Sequence, residues 1–267
     1  MTARASFYGL ILLLALLPSR PALALLPYLA SETAVPVEQG KSRLDVSLSD
    51  ERWRRTLSTF ALTTELSSGL LNNLDFSVDV SYRFRKERQD SDEDGLGDLK
   101  LKAKVRFIKG REANPVSIAG QLTVKFPSCN EDKRLSHECT GEADVGVRAI
   151  ASKEFFPMMV HLNLGYIFVG NPPPENLDGV LTDRSLDDVL SYSVAFDYLV
   201  VADYFHVVGE LAGETNRDPN ASADPLSALV GLLLDLDRGK VLSLTGSHAL
   251  TGPSPNYGGS IGFRYLF

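Results

Sequence analysis

Over much of its length the chain alternates, residue by residue, between apolar and polar side chains, and no other feature restricts its fold as strongly. Leu74, Phe76, Val78, Val80, Tyr82 and Phe84 alternate with Asp75, Ser77, Asp79, Ser81, Arg83 and Arg85. Leu99, Leu101, Ala103, Val105 and Phe107 alternate with Lys100, Lys102, Lys104 and Arg106. The same pattern returns in Val116–Phe126 and in Tyr192–Tyr198. Successive side chains of a strand point to opposite faces, so each segment has one apolar and one polar face. Helical periodicity is not sustained anywhere after residue 40.

Fainter alternation fills the gaps. It predicts strands near 41–48, 56–66, 74–85, 98–109, 116–126, 144–153, 159–169, 189–199, 204–213, 226–236, 240–250 and 257–267. That is about twelve strands, each ~10 residues long, the length that crosses a bilayer at a tilt. Short connections (67–73, 110–115, 154–158, 200–203, 237–239) alternate with long polar ones (86–97, 127–143, 170–188, 214–225) from the second strand onward. Tight turns at one end and long loops at the other are the habit of antiparallel transmembrane barrels.

Composition agrees by exclusion. With 44% hydrophobic residues and a net charge of −7, the chain is neither disordered nor a helical multi-span protein, and it lacks the basic face of a nucleic-acid binder. Two cysteines exclude a disulfide scaffold and a four-thiolate zinc site. Residues 1–24 read as a cleaved signal peptide: Arg4, an apolar stretch from Gly9 to Leu17, a break at Pro18, and Ala22-Leu23-Ala24 as the cleavage site. Residues 25–40 are then a periplasmic N-terminal segment and 41–267 the barrel.

An exported chain with this alternation and no later span long enough for a helix crosses a membrane only as a closed barrel, which satisfies its own backbone there. The expected fold is all-β: an antiparallel transmembrane barrel of about twelve strands in the bacterial outer membrane, with periplasmic termini. The last strand carries Ile261, Phe263, Tyr265 and Phe267 on one face. Aromatic alternation ending on Phe resembles the terminal strand of outer-membrane proteins. The resemblance makes Phe263, Tyr265 and Phe267 an assembly signal, with the outer-membrane assembly machinery and outer-membrane lipid as partners.

The stretch Gly95-Leu96-Gly97-Asp98-Leu99-Lys100, continuing to Lys104-Val105-Arg106-Phe107, resembles the strand entry of a bacterial outer-membrane family labelled meta-pathway phenol-degradation protein or transporter. Lys125-Phe126-Pro127, Leu162-Asn163-Leu164-Gly165-Tyr166 and Gly209-Glu210-Leu211 extend the similarity. It implies a barrel that admits small hydrophobic or aromatic compounds. The 127–143 loop lies outside the pattern.

With the apolar set facing lipid, the polar set lines the lumen. Arg83, Arg85, Lys100, Lys102, Lys104, Arg106, Lys125 and Arg148 fall on one wall, and Asp197, Glu210 and Asp235 on the other, with Glu65 and Asp45 on the first two strands. Opposed charged walls orient polar solutes in a constriction; the alternative is that the charges pair and plug a narrow barrel. Asp75 and Asp79, on the strand beside Lys100–Arg106, neutralise part of the basic wall.

Three smaller features complete the reading. Asp90, Asp92 and Asp94, with Gly95 in sixth place, match half of a calcium loop, but Leu101 stands where the closing Glu belongs, which makes it a solvated acidic loop. Cys129 and Cys139 share one outer loop, where an exported pair forms a disulfide; a metal site with His137 is the alternative. No cofactor is required. Passage of a small-molecule solute is the expected function, against two rivals: a closed structural or adhesive barrel, and a barrel-embedded hydrolase using His206 or His248.

Overall fold

The computed structural model describes residues 30–53, 57–87, 93–110, 116–128, 142–170, 175–177, 180–182, 186–202, 204–237 and 239–267. The strands are β1 (Ser42–Trp53), β2 (Leu57–Leu71), β3 (Leu74–Glu87), β4 (Glu93–Leu96), β5 (Leu99–Ile108), β6 (Val116–Phe126), β7 (Asp144–Phe155) and β8 (Met158–Phe168). They continue as β9 (Glu175–Leu177), β10 (Val180–Thr182), β11 (Val189–Val201), β12 (Phe205–Glu214), β13 (Leu226–Asp237), β14 (Lys240–Ala249) and β15 (Tyr257–Leu266).

Each barrel strand pairs antiparallel with its sequence neighbours, and β15 returns to β1 to close the ring. At that seam Asp45 stands opposite Arg264, and the backbones of Ser42 and Phe267 exchange hydrogen bonds of 2.7 and 2.8 Å. β4 and β5 form one stave interrupted at Gly97-Asp98, where the Gly97 amide bonds the Ser81 carbonyl, so the barrel has twelve staves. β9 and β10 form a separate hairpin in the connection between β8 and β11.

The packing is inside out relative to a soluble protein. Leu62, Leu122, Leu164, Val230, Leu244 and Ile261 are exposed on the exterior, while Asp45, Glu65, Asp75, Lys104, Asn163, Asp197 and Glu210 are buried. Strand alternation produces this directly: one face of each stave meets lipid and the other closes around polar groups that pair with one another. On the exterior, Phe196 lies over Gly209 and Tyr192 over Gly213, each aromatic ring covering the glycine opposite it on the next strand. Tyr265 and Phe267 stack there, with ring centroids 5.4 Å apart.

The expected strand limits hold closely, with two extensions. β2 runs on to Leu71, past the expected end at residue 66. β1 runs on to Trp53, past the expected end at residue 48. Beyond Leu48 comes Ser49-Asp50-Glu51-Arg52, which has no apolar face; backbone pairing with β2 and β15 carries it on. Cys129 and Cys139, the signal segment, and Asp90 and Asp92 lie outside the described residues.

Candidate functional site in the barrel lumen

The stretch expected to stand outside the barrel instead turns into it. Residues 30–39 run from the turn end of β2 up through the lumen. Gln39 bridges to Gly69, and Gly40, with φ of 77°, donates to the Gly69 carbonyl at 2.9 Å. A side chain on Gly69 would collide with the backbone of Val37 and Glu38, so the segment and the wall approach more closely than any other residue allows.

An extended segment lying across strand side chains cannot use the ladder for its own backbone, yet buried amides need partners. Side chains from four staves supply them. The Val37 amide donates to Asp75 Oδ2 at 2.8 Å, Ala34 to Ser152 Oγ at 2.9 Å, and Glu32 to Asn163 Oδ1 at 2.9 Å. Asn163 Nδ2 donates back to the Glu32 carbonyl at 3.0 Å. Ser31 and Ala30 donate to the two oxygens of Glu210 at 2.6 and 3.0 Å. Ala34 packs with Ala119 and Ile150 in an apolar patch on the inner wall. Glu210 lies five residues from the turn end of its strand, which places the tip of the segment ~17 Å along that tilted strand.

Next to this segment runs a chain of ion pairs. Arg264 Nε meets Asp45 Oδ1 at 2.6 Å, and Arg43 Nε lies 2.7 Å from Asp45 Oδ2 without the alignment of a hydrogen bond. Arg43 Nη2 donates to Glu65 at 2.9 Å, Glu65 accepts from Lys102 at 2.6 Å, and Lys102 lies 3.4 Å from Asp79. Lys104 sits between Asp75 at 3.5 Å and Glu32 at 3.7 Å.

Toward the loop end the lumen opens into a chamber of about 300 Å³. Ala30 and Glu32 line it from the segment, and Lys100, Lys125, Arg148 and Ile167 from the wall.

A closed twelve-stave barrel with an apolar exterior and an ion-paired interior belongs in a lipid bilayer. The fold resembles an outer-membrane channel from Pseudomonas putida F1 of the COG4313 group, with a TM-score of 0.68 and 17% identity over 88% of this chain and 97% of that one. The KdgM porin superposes with a TM-score of 0.56 and 12% identity over 84% and 99% of the two chains. The β domain of the Bordetella autotransporter BrkA gives 0.52 and 11% over 85% and 98%. No family model and no curated protein matches the sequence. The fold is that of a bacterial outer-membrane β-barrel.

Within that barrel the charged residues singled out from sequence have distinct positions. Lys100, Lys102, Lys125 and Arg148 line the chamber. Lys104 is buried below it, against the segment. Arg83 and Arg85 lie on the loop-end half of β3, opposite β4. Arg106 is at the turn end, with Nη2 donating to the Asn72 carbonyl at 3.0 Å. The picture of two opposed charged walls needs correction. The basic residues pair with carboxylates of adjacent staves, because the register sets Asp75 opposite Lys104 and the side chain of Lys125 reaches Asp98 at 3.2 Å and Asp144 at 2.8 Å. On the far side Asp197 pairs with His206 at 2.7 Å, Asp235 lies 4.0 Å from the same imidazole, and Glu210 holds the segment.

The remaining candidates resolve simply. Asp94 accepts a hydrogen bond from the Tyr82 hydroxyl at the barrel exterior. Among the described residues no group of three or more His, Cys, Asp and Glu side chains is arranged to hold a metal. His248 Nδ1 is 2.8 Å from the Asn256 carbonyl in a loop. Ser152 Oγ lies 2.8 Å from His161 Nδ1, a pairing of nucleophile and base types that the sequence did not single out. Both groups are buried, and the Ser152 oxygen already accepts the Ala34 amide.

Proposed function

We propose that the protein is an outer-membrane channel for small organic solutes, aromatic compounds among them, whose lumen is obstructed on the turn side by residues 30–39. The observation that carries this reading is how the segment is attached. Beyond its backbone bridge at Gln39, the segment is held by side chains and one apolar patch, not by membership of the wall, so residues 30–38 can leave without breaking a single pairing between staves. The chamber above it supplies the space for a solute. The P. putida protein is described as a channel and KdgM as a porin, which agrees with this reading. The aromatic preference rests on the resemblance carried by Gly95–Lys100.

The test is single-channel conductance of the refolded protein in a planar bilayer. Ala34→Cys and Ala119→Cys are introduced together, with Cys129 and Cys139 replaced by Ser, and joined by a short thiol-reactive crosslinker. The uncrosslinked protein is expected to show conductance steps, and the crosslinked one to lose most of them. Silence from the folded, uncrosslinked protein would instead favour the closed structural or adhesive barrel.

A further inference from the structure

The chamber is cationic in a chain whose net charge is −7. Seven Lys and Arg side chains line it against four carboxylates. Most of these cations are matched: Arg43 and Arg264 share Asp45, Lys102 has Glu65, and Lys125 has Asp98 and Asp144. Lys100 differs. Its cross-strand neighbours are Asp79 on β3 and Lys125 on β6, but the Asp79 carboxylate is drawn to Lys102 at 3.4 Å. Among the described residues Lys100 makes no ion pair within 4.0 Å. Arg148, on β7, spends one N–H on the Ala30 carbonyl at 2.8 Å and makes no other hydrogen bond among the described residues, which leaves most of its planar fork for a ligand.

A lysine facing another lysine across a ladder costs stability, and an ammonium ion in a confined lumen calls for an anion. The chamber that Lys100 and Arg148 both line has room for one. About 300 Å³ is the lower end of ligand-site volumes, and a benzene ring occupies a cavity of ~150 Å³. Ile167 adds an apolar surface, so the occupant combines a single negative group with a small hydrocarbon body.

We propose that this chamber is a binding subsite for a small organic carboxylate, with Lys100 as its principal cation and Arg148 as a second donor. The proposal deepens the channel reading by naming the charge class of the solute. The carboxylate adds to the negative charge of Asp79, which Lys100 shares with Lys102, and its hydrocarbon part lies toward Ile167. The tip of the segment at Ala30 forms the floor, so solute and segment meet at Arg148.

The test is calorimetric titration of the folded full chain in detergent with benzoate and with benzamide, its neutral analogue of nearly equal shape. Benzoate is expected to bind about tenfold more tightly, and K100Q is expected to remove that preference, whereas K153Q at the turn end leaves it intact. Equal affinity for the two probes, or no binding of either, overturns the subsite on the unmodified protein, whatever the folding of the variants. Retention of the preference in K100Q overturns the role given to Lys100. Conductance measured in parallel separates the two readings. Binding of benzoate by a protein that never conducts overturns the channel and keeps the subsite; conductance without a preference for benzoate does the reverse.

Discussion

The Ser31 amide donates to Glu210 Oε1 across 2.6 Å, although 179 residues separate the two in sequence. With the Ala30 amide on Oε2, one carboxylate holds the tip of the segment that fills the turn side of the lumen. Hydrogen bonds to a charged acceptor contribute ~1.5–3 kcal/mol each.

Glu210→Ala is therefore expected to loosen the segment by about 3 kcal/mol, roughly a hundredfold in the ratio of seated to unseated states. A single cysteine at position 34, in a chain with Cys129 and Cys139 replaced by Ser, should then react faster with a water-soluble maleimide. Unchanged labelling would mean that Asn163, Ser152 and Asp75 hold the segment without Glu210.

Lys102 carries the junction between Glu65, Asp79 and Glu32. Removing one partner of such a cluster leaves like charges facing each other. Lys102→Met should cost about 3 kcal/mol in guanidinium unfolding from lipid vesicles. The double variant Lys102→Met, Glu65→Gln should recover part of that loss. If the two changes simply add, the ion pair is not a coupled unit.

Leu164 is exposed at the middle of its strand, between the inward-facing Asn163 and Gly165. An arginine there would stand in hydrocarbon and cost about 2–4 kcal/mol near the bilayer midplane. Unfolding from vesicles measures this. A neutral result would place Leu164 outside the apolar band.

Gly209 accommodates the ring of Phe196 against its backbone. Gly209→Val should push that ring aside and destabilise the barrel by about 1 kcal/mol. In a Phe196→Ala background the same valine should cost less, so a double-mutant cycle on unfolding free energies tests the contact directly.

The staves were legible because a period of two survives wherever one face meets lipid, as in Leu74–Arg85. Where the strand leaves the apolar band, as at Ser49–Arg52, the signal disappears while the pairing continues. The inward set was legible for the same reason, but its partners were not. Whether Lys102 meets Glu65 or Asp79 depends on register and side-chain reach, which alternation does not encode. The lumenal course of residues 30–39 is not legible in the sequence because Ser31-Glu32-Thr33-Ala34-Val35 carries no periodicity. Its position is set by acceptors on four distant strands; the sequence reads two of them, Asp75 and Glu210, as lumenal and passes over Ser152 and Asn163.

The pair Asp45 and Arg264 spans the seam at a sequence separation of 219. Every other stave lies next to its sequence neighbour, so the pairing of β1 with β15 is the most sequence-distant in the barrel. Until that pair forms, the wall has two open edges and the segment ahead of β1 has no closed lumen to occupy. The contacts that seat residues 30–39 are therefore complete only in the closed ring.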